Sequence, residues 1–67
     1  GSSFQEVSNT WVERGRFFSD LDERSRARVC VIGDKVIEDL ALGDEPLGSS
    51  VTIGNTVFTV IGVMEKL

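Results

Sequence analysis

Val51-Thr52-Ile53-Gly54-Asn55-Thr56-Val57-Phe58-Thr59-Val60-Ile61-Gly62-Val63-Met64 is the stretch whose reading decides the fold. Two runs rich in β-branched and aromatic residues flank Gly54-Asn55, a pair that two-residue primed hairpin turns select. The spacing predicts a hairpin of 51–53 with 56–64. The turn sets its register, placing Ile53 opposite Thr56, Thr52 opposite Val57 and Val51 opposite Phe58. Strand alternation then gives Val51, Ile53, Phe58 and Val60 to one face, the expected core. The other face carries Thr52, Val57, Thr59, Ile61 and Val63, which is too apolar for a solvated surface. Either an N-terminal helix covers it, or it packs against chain outside these 67 residues.

Upstream, Val29-Cys30-Val31-Ile32 is a short continuous apolar run closed by Gly33, the mark of a buried strand. Asp34 is expected to cap a helix over 35–42, with Val36, Ile37, Leu40 and Ala41 on its inner face. Gly43 is expected to end that helix, and Asp44 to Ser50 to form a loop shaped by Pro46 and Gly48. Phe4, Val7, Trp11 and Val12 fall at helical spacing, so an N-terminal helix is expected over 4–14 with Gly15 as its stop. Residues 16–28 read as irregular with one helical turn. Ser19 or Asp20 caps that turn, and Phe17 and Phe18 pin the segment to the core. The sum is an α+β module: a small mixed sheet with a C-terminal hairpin, one packed helix after the first strand and an N-terminal helix.

Sixty-seven residues suffice for one thin core. Gly1-Ser2-Ser3 reads as an expression remnant, leaving 4–67 as a single module cut from a larger domain. The net charge of −4 lies wholly in residues 34–67, where two lysines face six acids, and such a chain is repelled by nucleic-acid backbones. The arginines from 14 to 28 are interleaved with acids and read as solvated ion pairs. No 20-residue apolar span occurs.

Catalytic options are few. The chain has no histidine, which removes Ser–His and Cys–His pairs and Cys/His zinc sites. No phosphate-cradling glycine loop is present, and Gly33-Asp34-Lys35 is explained as a helix start. Carboxylates pair at Asp20/Asp22 and Asp44/Glu45, and both pairs are expected in polar loops. An acid-dependent hydrolase would need them to converge in a cleft. Cys30, alone and inside an apolar run, reads as a small core residue. No catalytic residue, cofactor or metal is expected.

Four elements in order carry a family resemblance. They are Gly15-Arg16-Phe17-Phe18-Ser19-Asp20, Arg28-Val29-Cys30-Val31-Ile32-Gly33, Asp44-Glu45-Pro46-Leu47-Gly48 and Phe58-Thr59-Val60-Ile61-Gly62-Val63. Over about 50 residues the chain resembles the extracytoplasmic core domain of MacB-like and other FtsX-type ABC permeases. Departures are Leu40-Ala41-Leu42-Gly43, where Leu-Phe-Gly is common, and Ser49, where a Lys often follows the Pro-x-Gly. The resemblance implies part of an extracytoplasmic domain that serves export or mechanical coupling across the cell envelope. Its implied partners are the remainder of its own permease chain, a cytoplasmic ATPase acting indirectly, and an envelope adaptor or substrate. It implies backbone roles for Gly15, Gly33, Gly48 and Gly62, a loop role for Pro46, and packing roles for Phe17, Phe58 and Ile61. Val57, Ile61 and Val63 are the expected contact face. A free-standing adaptor or scaffold module is the alternative.

Overall fold

A computed structural model of the chain describes residues 11–66. Strand β1 is Val12–Gly15, helix α1 Asp20–Ser25, strand β2 Val29–Ile32, helix α2 Asp34–Asp39, strand β3 Ser50–Ile53 and strand β4 Thr56–Met64. All three shorter strands pair with β4, β2 in parallel and β1 and β3 antiparallel. Because β2 and β3 both pair with Thr59, they lie on opposite edges of β4. β1 and β2 likewise both pair with Gly62 and Val63, so β1 and β3 follow one another along one edge. The seam between them is closed by the loop, through Gly48 N–H to Val60 O and Val60 N–H to Ser49 O, each 2.9 Å.

The hairpin register is the one read from the sequence: Ile53 with Thr56, Thr52 with Val57, Val51 with Phe58. Its faces need one correction. Cys30 pairs with Val60 but Val31 pairs with Gly62, so β4 carries an extra residue at Ile61. A bulge of this kind reverses the inward–outward alternation beyond it. Val63 therefore joins the core instead of the outer face, at 2% exposure. Ile53, expected inside, lies at the hairpin tip and is 56% exposed.

The core is Ile32, Val51, Val60 and Val63, against which Cys30, Val36, Ile37 and Leu42 pack. Helix α2 thus covers one face of the sheet, and the molecule is 17 Å across its shortest axis, one sheet and one helical layer.

Both helices stop by the same device. Arg26 and Ala41 take left-handed φ values of 54° and 51°. Ala27 N–H returns to Asp22 O at 2.9 Å, and Leu42 N–H to Ile37 O at 3.0 Å. Arg26 N–H returns to Glu23 O at 3.2 Å and Ala41 N–H to Glu38 O at 3.1 Å, completing a Schellman turn at each end. The expected helix over 35–42 accordingly ends at Asp39, since Ala41 turns the chain before Gly43 can. Leu40, expected inside, is 49% exposed, and Leu42 takes its place against the core. Asp34 is the first helical residue and not the cap; that position belongs to Gly33, which has no side chain to offer.

The N-terminal helix expected over 4–14 is a strand at Val12–Gly15, with an exposure alternation of period two. Residues 4–10 lie outside the described residues. Gly15 ends this strand at φ +76°, where a Cβ would strike Ile61 O and sit 2.9 Å from Leu47. Across the ladder, Gly62 faces the same constraint. A Cβ there would overlap Arg16 O, so the backbone of residue 16 fills the space that a side chain at 62 would need. Arg16 N–H donates to Ile61 O at 3.0 Å beside it.

Gly62→Ala should therefore lower stability by about 3 kcal/mol, because backbone and not a flexible side chain must yield. Gly33→Ser should raise it by about 0.5–1 kcal/mol, since residue 33 has φ −85°, open space around it and a helix to cap. Urea melts of the two variants check both signs. Ala41→Gly should add about 1 kcal/mol by relieving the left-handed alanine, seen as a rise in melting temperature of about 4–8 °C.

Candidate functional site

The segment from Gly15 to Asp22 is tied down by polar contacts. Ser19 caps α1: its hydroxyl accepts from Asp22 N–H at 3.2 Å, and the Asp22 carboxylate accepts from Ser19 N–H at 2.8 Å. This reciprocal pair is a capping box. Of the two expected caps, Ser19 and Asp20, the position therefore falls to Ser19, with its partner at Asp22. Arg16 closes the cluster with two bonds to the same carboxylate, at 2.6 and 3.2 Å. The guanidinium, helped by the Ser19 amide, holds the Asp22 carboxyl well below the usual carboxylate range. In the sequence Asp22 stands out only as half of an acid pair; the Ser-x-x-Asp spacing is the signal for its capping role.

The second acidic pair is engaged elsewhere. Arg14 donates to Asp44 O at 3.2 Å and meets the Glu45 carboxylate at 3.4 Å, fastening the loop to β1. Glu45 is 86% exposed there, so the ion pair adds under about 1 kcal/mol. Pro46 is fully buried under this loop, and Ser49 N–H returns to Pro46 O at 3.0 Å. Among the described residues no three carboxylates or thiols gather in a metal-binding arrangement. A shallow, open depression of about 500 Å³ lies between α2 and the C-terminal end, bordered by Asp34, Glu38, Asp44 and Lys66. Cys30 is half-buried, and burial pushes its thiol pKa up, the direction of an unreactive core sulfur.

What remains is surface. The ladder puts Val29 and Val31 on the face opposite Cys30 and Ile32, together with Thr59 and Val57. Val29, Val31 and Ile61 are half-buried and Val57 is 51% exposed, so this face is only partly covered. The sequence-derived contact residues divide accordingly. Val57 and Ile61 share the open side, while Val63 is withdrawn into the core. Phe58 is half-buried on the α2 side. Phe17 is half-buried and meets Phe18 edge-on, with ring centres 5.1 Å apart, and Phe18 stays 38% exposed. Leu21 on α1 is 72% exposed and Trp11 47%. No helix among the described residues is long and apolar enough to cross a membrane.

Among the described residues, then, α2 packs on one face of the sheet and the other face is only partly covered. Comparison with known proteins gives the class. The family model of the MacB-like periplasmic core domain matches residues 1–67. The chain is 45% identical over 62 residues to the pyoverdine export ATP-binding/permease protein PvdT of Pseudomonas putida, covering 91% of this chain and 10% of that protein. It is 36% identical to the macrolide export ATP-binding/permease protein MacB of Syntrophobacter fumaroxidans, over 92% and 9% of the two chains. The crystal structure of the periplasmic region of MacB from Actinobacillus actinomycetemcomitans superposes with a TM-score of 0.77 at 25% identity. That match covers 96% of this chain and 30% of the other. The chain belongs to the MacB-like periplasmic core domain family. It spans about a tenth of the length of these curated relatives, which are export permeases.

Asp22 is ionised in the folded chain to lower pH than in the unfolded chain. The stability it adds is present above the unfolded carboxylate range, about pH 4, and is lost as pH falls through the depressed folded value. Asp22→Asn should melt earlier than the parent chain at pH 7, and the gap should narrow progressively as pH falls from 4 to 2. Parallel thermal melts at these pH values read it.

Proposed function

We propose that this chain is an extracytoplasmic contact module of an ABC exporter permease, acting in export or mechanical coupling across the envelope without catalysis of its own. The observation that carries this is the open apolar face around Val57 and Ile61, on a module whose other face is already closed by α2. A contiguous apolar patch on so small a domain marks an interface. Its partner is the remainder of the permease's own periplasmic region, and that region links it to the ATPase indirectly. The family match and the export permeases among its relatives support this reading. Gly15, Gly48 and Gly62 serve it by shaping backbone, Pro46 by fixing the loop, and Phe17 and Phe58 by packing. Gly33 serves as a helix start.

The test is a pair of charge insertions, Val57→Lys and Ile61→Lys. In the parent periplasmic region each should lower the melting temperature by at least about 5 °C, because a charge is then buried without a partner. In the 67-residue chain alone each should shift it by less than about 2 °C, since a lysine on an open face reaches water. Collapse of the short chain on its own would show that the face is already covered from within, and the interface reading would fail.

A further inference from the structure

β2 stands at the end of the sheet, with β4 on one side and no strand on the other among the described residues. Thr59 N–H donates to Arg28 O at 2.9 Å. Along a parallel ladder the backbone groups of successive residues face alternate edges. Arg28, Cys30 and Ile32 therefore point theirs at β4, and Val29 and Val31 turn N–H and C=O outward. Exposed edges of folded proteins are normally blunted by a charge, a proline or a bulge. β2 has none of these. Val29-Cys30-Val31-Ile32 is uncharged and apolar throughout, and the irregularity in this ladder sits on β4.

We propose that this edge is a strand-pairing site, completed by a β-strand from the part of the same periplasmic region that lies outside residues 1–67. The proposal rests on the reading of the chain as part of that region. The chain corresponds to 30% of the periplasmic region of the Actinobacillus protein, so most of such a region is available to supply the strand. The chemistry of the edge specifies its partner. Four outward groups, the N–H and C=O of Val29 and Val31, call for a segment of about four residues in extended conformation. That segment needs apolar side chains on the side of Val29 and Val31, continuing the open face. The competing occupant is the stretch 1–10. It precedes β1, whose start lies along the opposite edge of β4, where Glu65 N–H meets Trp11 O at 2.7 Å.

Hydrogen exchange of the intact parent periplasmic region, read residue by residue by NMR, tests this. The Val29 and Val31 amides should exchange within about tenfold of those of Cys30 and Ile32, which bond to β4, and at least about 100-fold more slowly than the same amides in the 67-residue chain. Deleting residues 1–10 from the parent should leave that protection unchanged. Fast exchange at 29 and 31 in the intact region overturns the proposal. So does protection lost with residues 1–10, and so does protection that appears only as concentration rises, which would put a second copy on the edge. The lysine insertions at 57 and 61 probe the face and not the edge, so each idea can fail alone.

Discussion

One close approach organises the module: the backbone of Arg16 lying on Gly62. β4 has to serve three partners, and it can do so only if its edge changes hands between β3 and β1. The extra residue at Ile61 makes that exchange. Val60 O bonds to Gly48 and the next carbonyl, Ile61 O, to Arg16, so the same edge is served twice in succession. A side chain at 62 would push residue 16 away and remove the second of these bonds. The bulge also returns Val63 to the core beside Val60. The crossing of β1 over the end of β4 thus depends on the absence of one Cβ.

Two of the four stretches that resemble the family are the two sides of this contact. Gly15-Arg16-Phe17-Phe18-Ser19 supplies the turn, the crossing backbone and the helix cap; Phe58-Thr59-Val60-Ile61-Gly62-Val63 supplies the strand beneath. Arg16 does double duty. Its amide holds β4 and its guanidinium holds Asp22, which in turn completes the Ser19 capping box. Strand, turn and helix start are chained through adjacent residues. In this chain Gly15-Arg16-Phe17-Phe18-Ser19 and Ile61-Gly62-Val63 are thereby one physical unit, though some 40 residues apart.

Much of this was legible in the sequence, and the misses have definite causes. β2, the hairpin and its register were readable because β-branched runs and a Gly-Asn turn leave little choice. The bulge at Ile61 was not, because nothing local announces an extra residue; it exists to satisfy β2 and β1, which lie 30 to 50 positions away. Val63 was misplaced for that reason alone. Ala41 and Arg26 end their helices in a conformation usually marked by glycine, so the signal pointed two residues too far, to Gly43. Val12-Glu13-Arg14-Gly15 has strand alternation, but four residues of it were outweighed by the helical spacing of Phe4, Val7 and Trp11. The outward placement of Val57 and Ile61 was legible from strand alternation, whereas the position of β2 at the end of the sheet needed strand order to be seen.

Among the described residues four apolar side chains are buried, a small core for a sheet of four strands. Ile32, Val51, Val60 and Val63 sit under a helix of six residues, and no side chain of either helix is buried. Burial of that extent offsets only part of the entropy that the ordered backbone gives up. Loops compensate locally, through two Schellman turns, a capping box and a buried proline, but these contribute tenths to a few kcal/mol each. The larger reserve is the surface left unburied: Val57, the half-covered Val29, Val31 and Ile61, and Leu21 on α1.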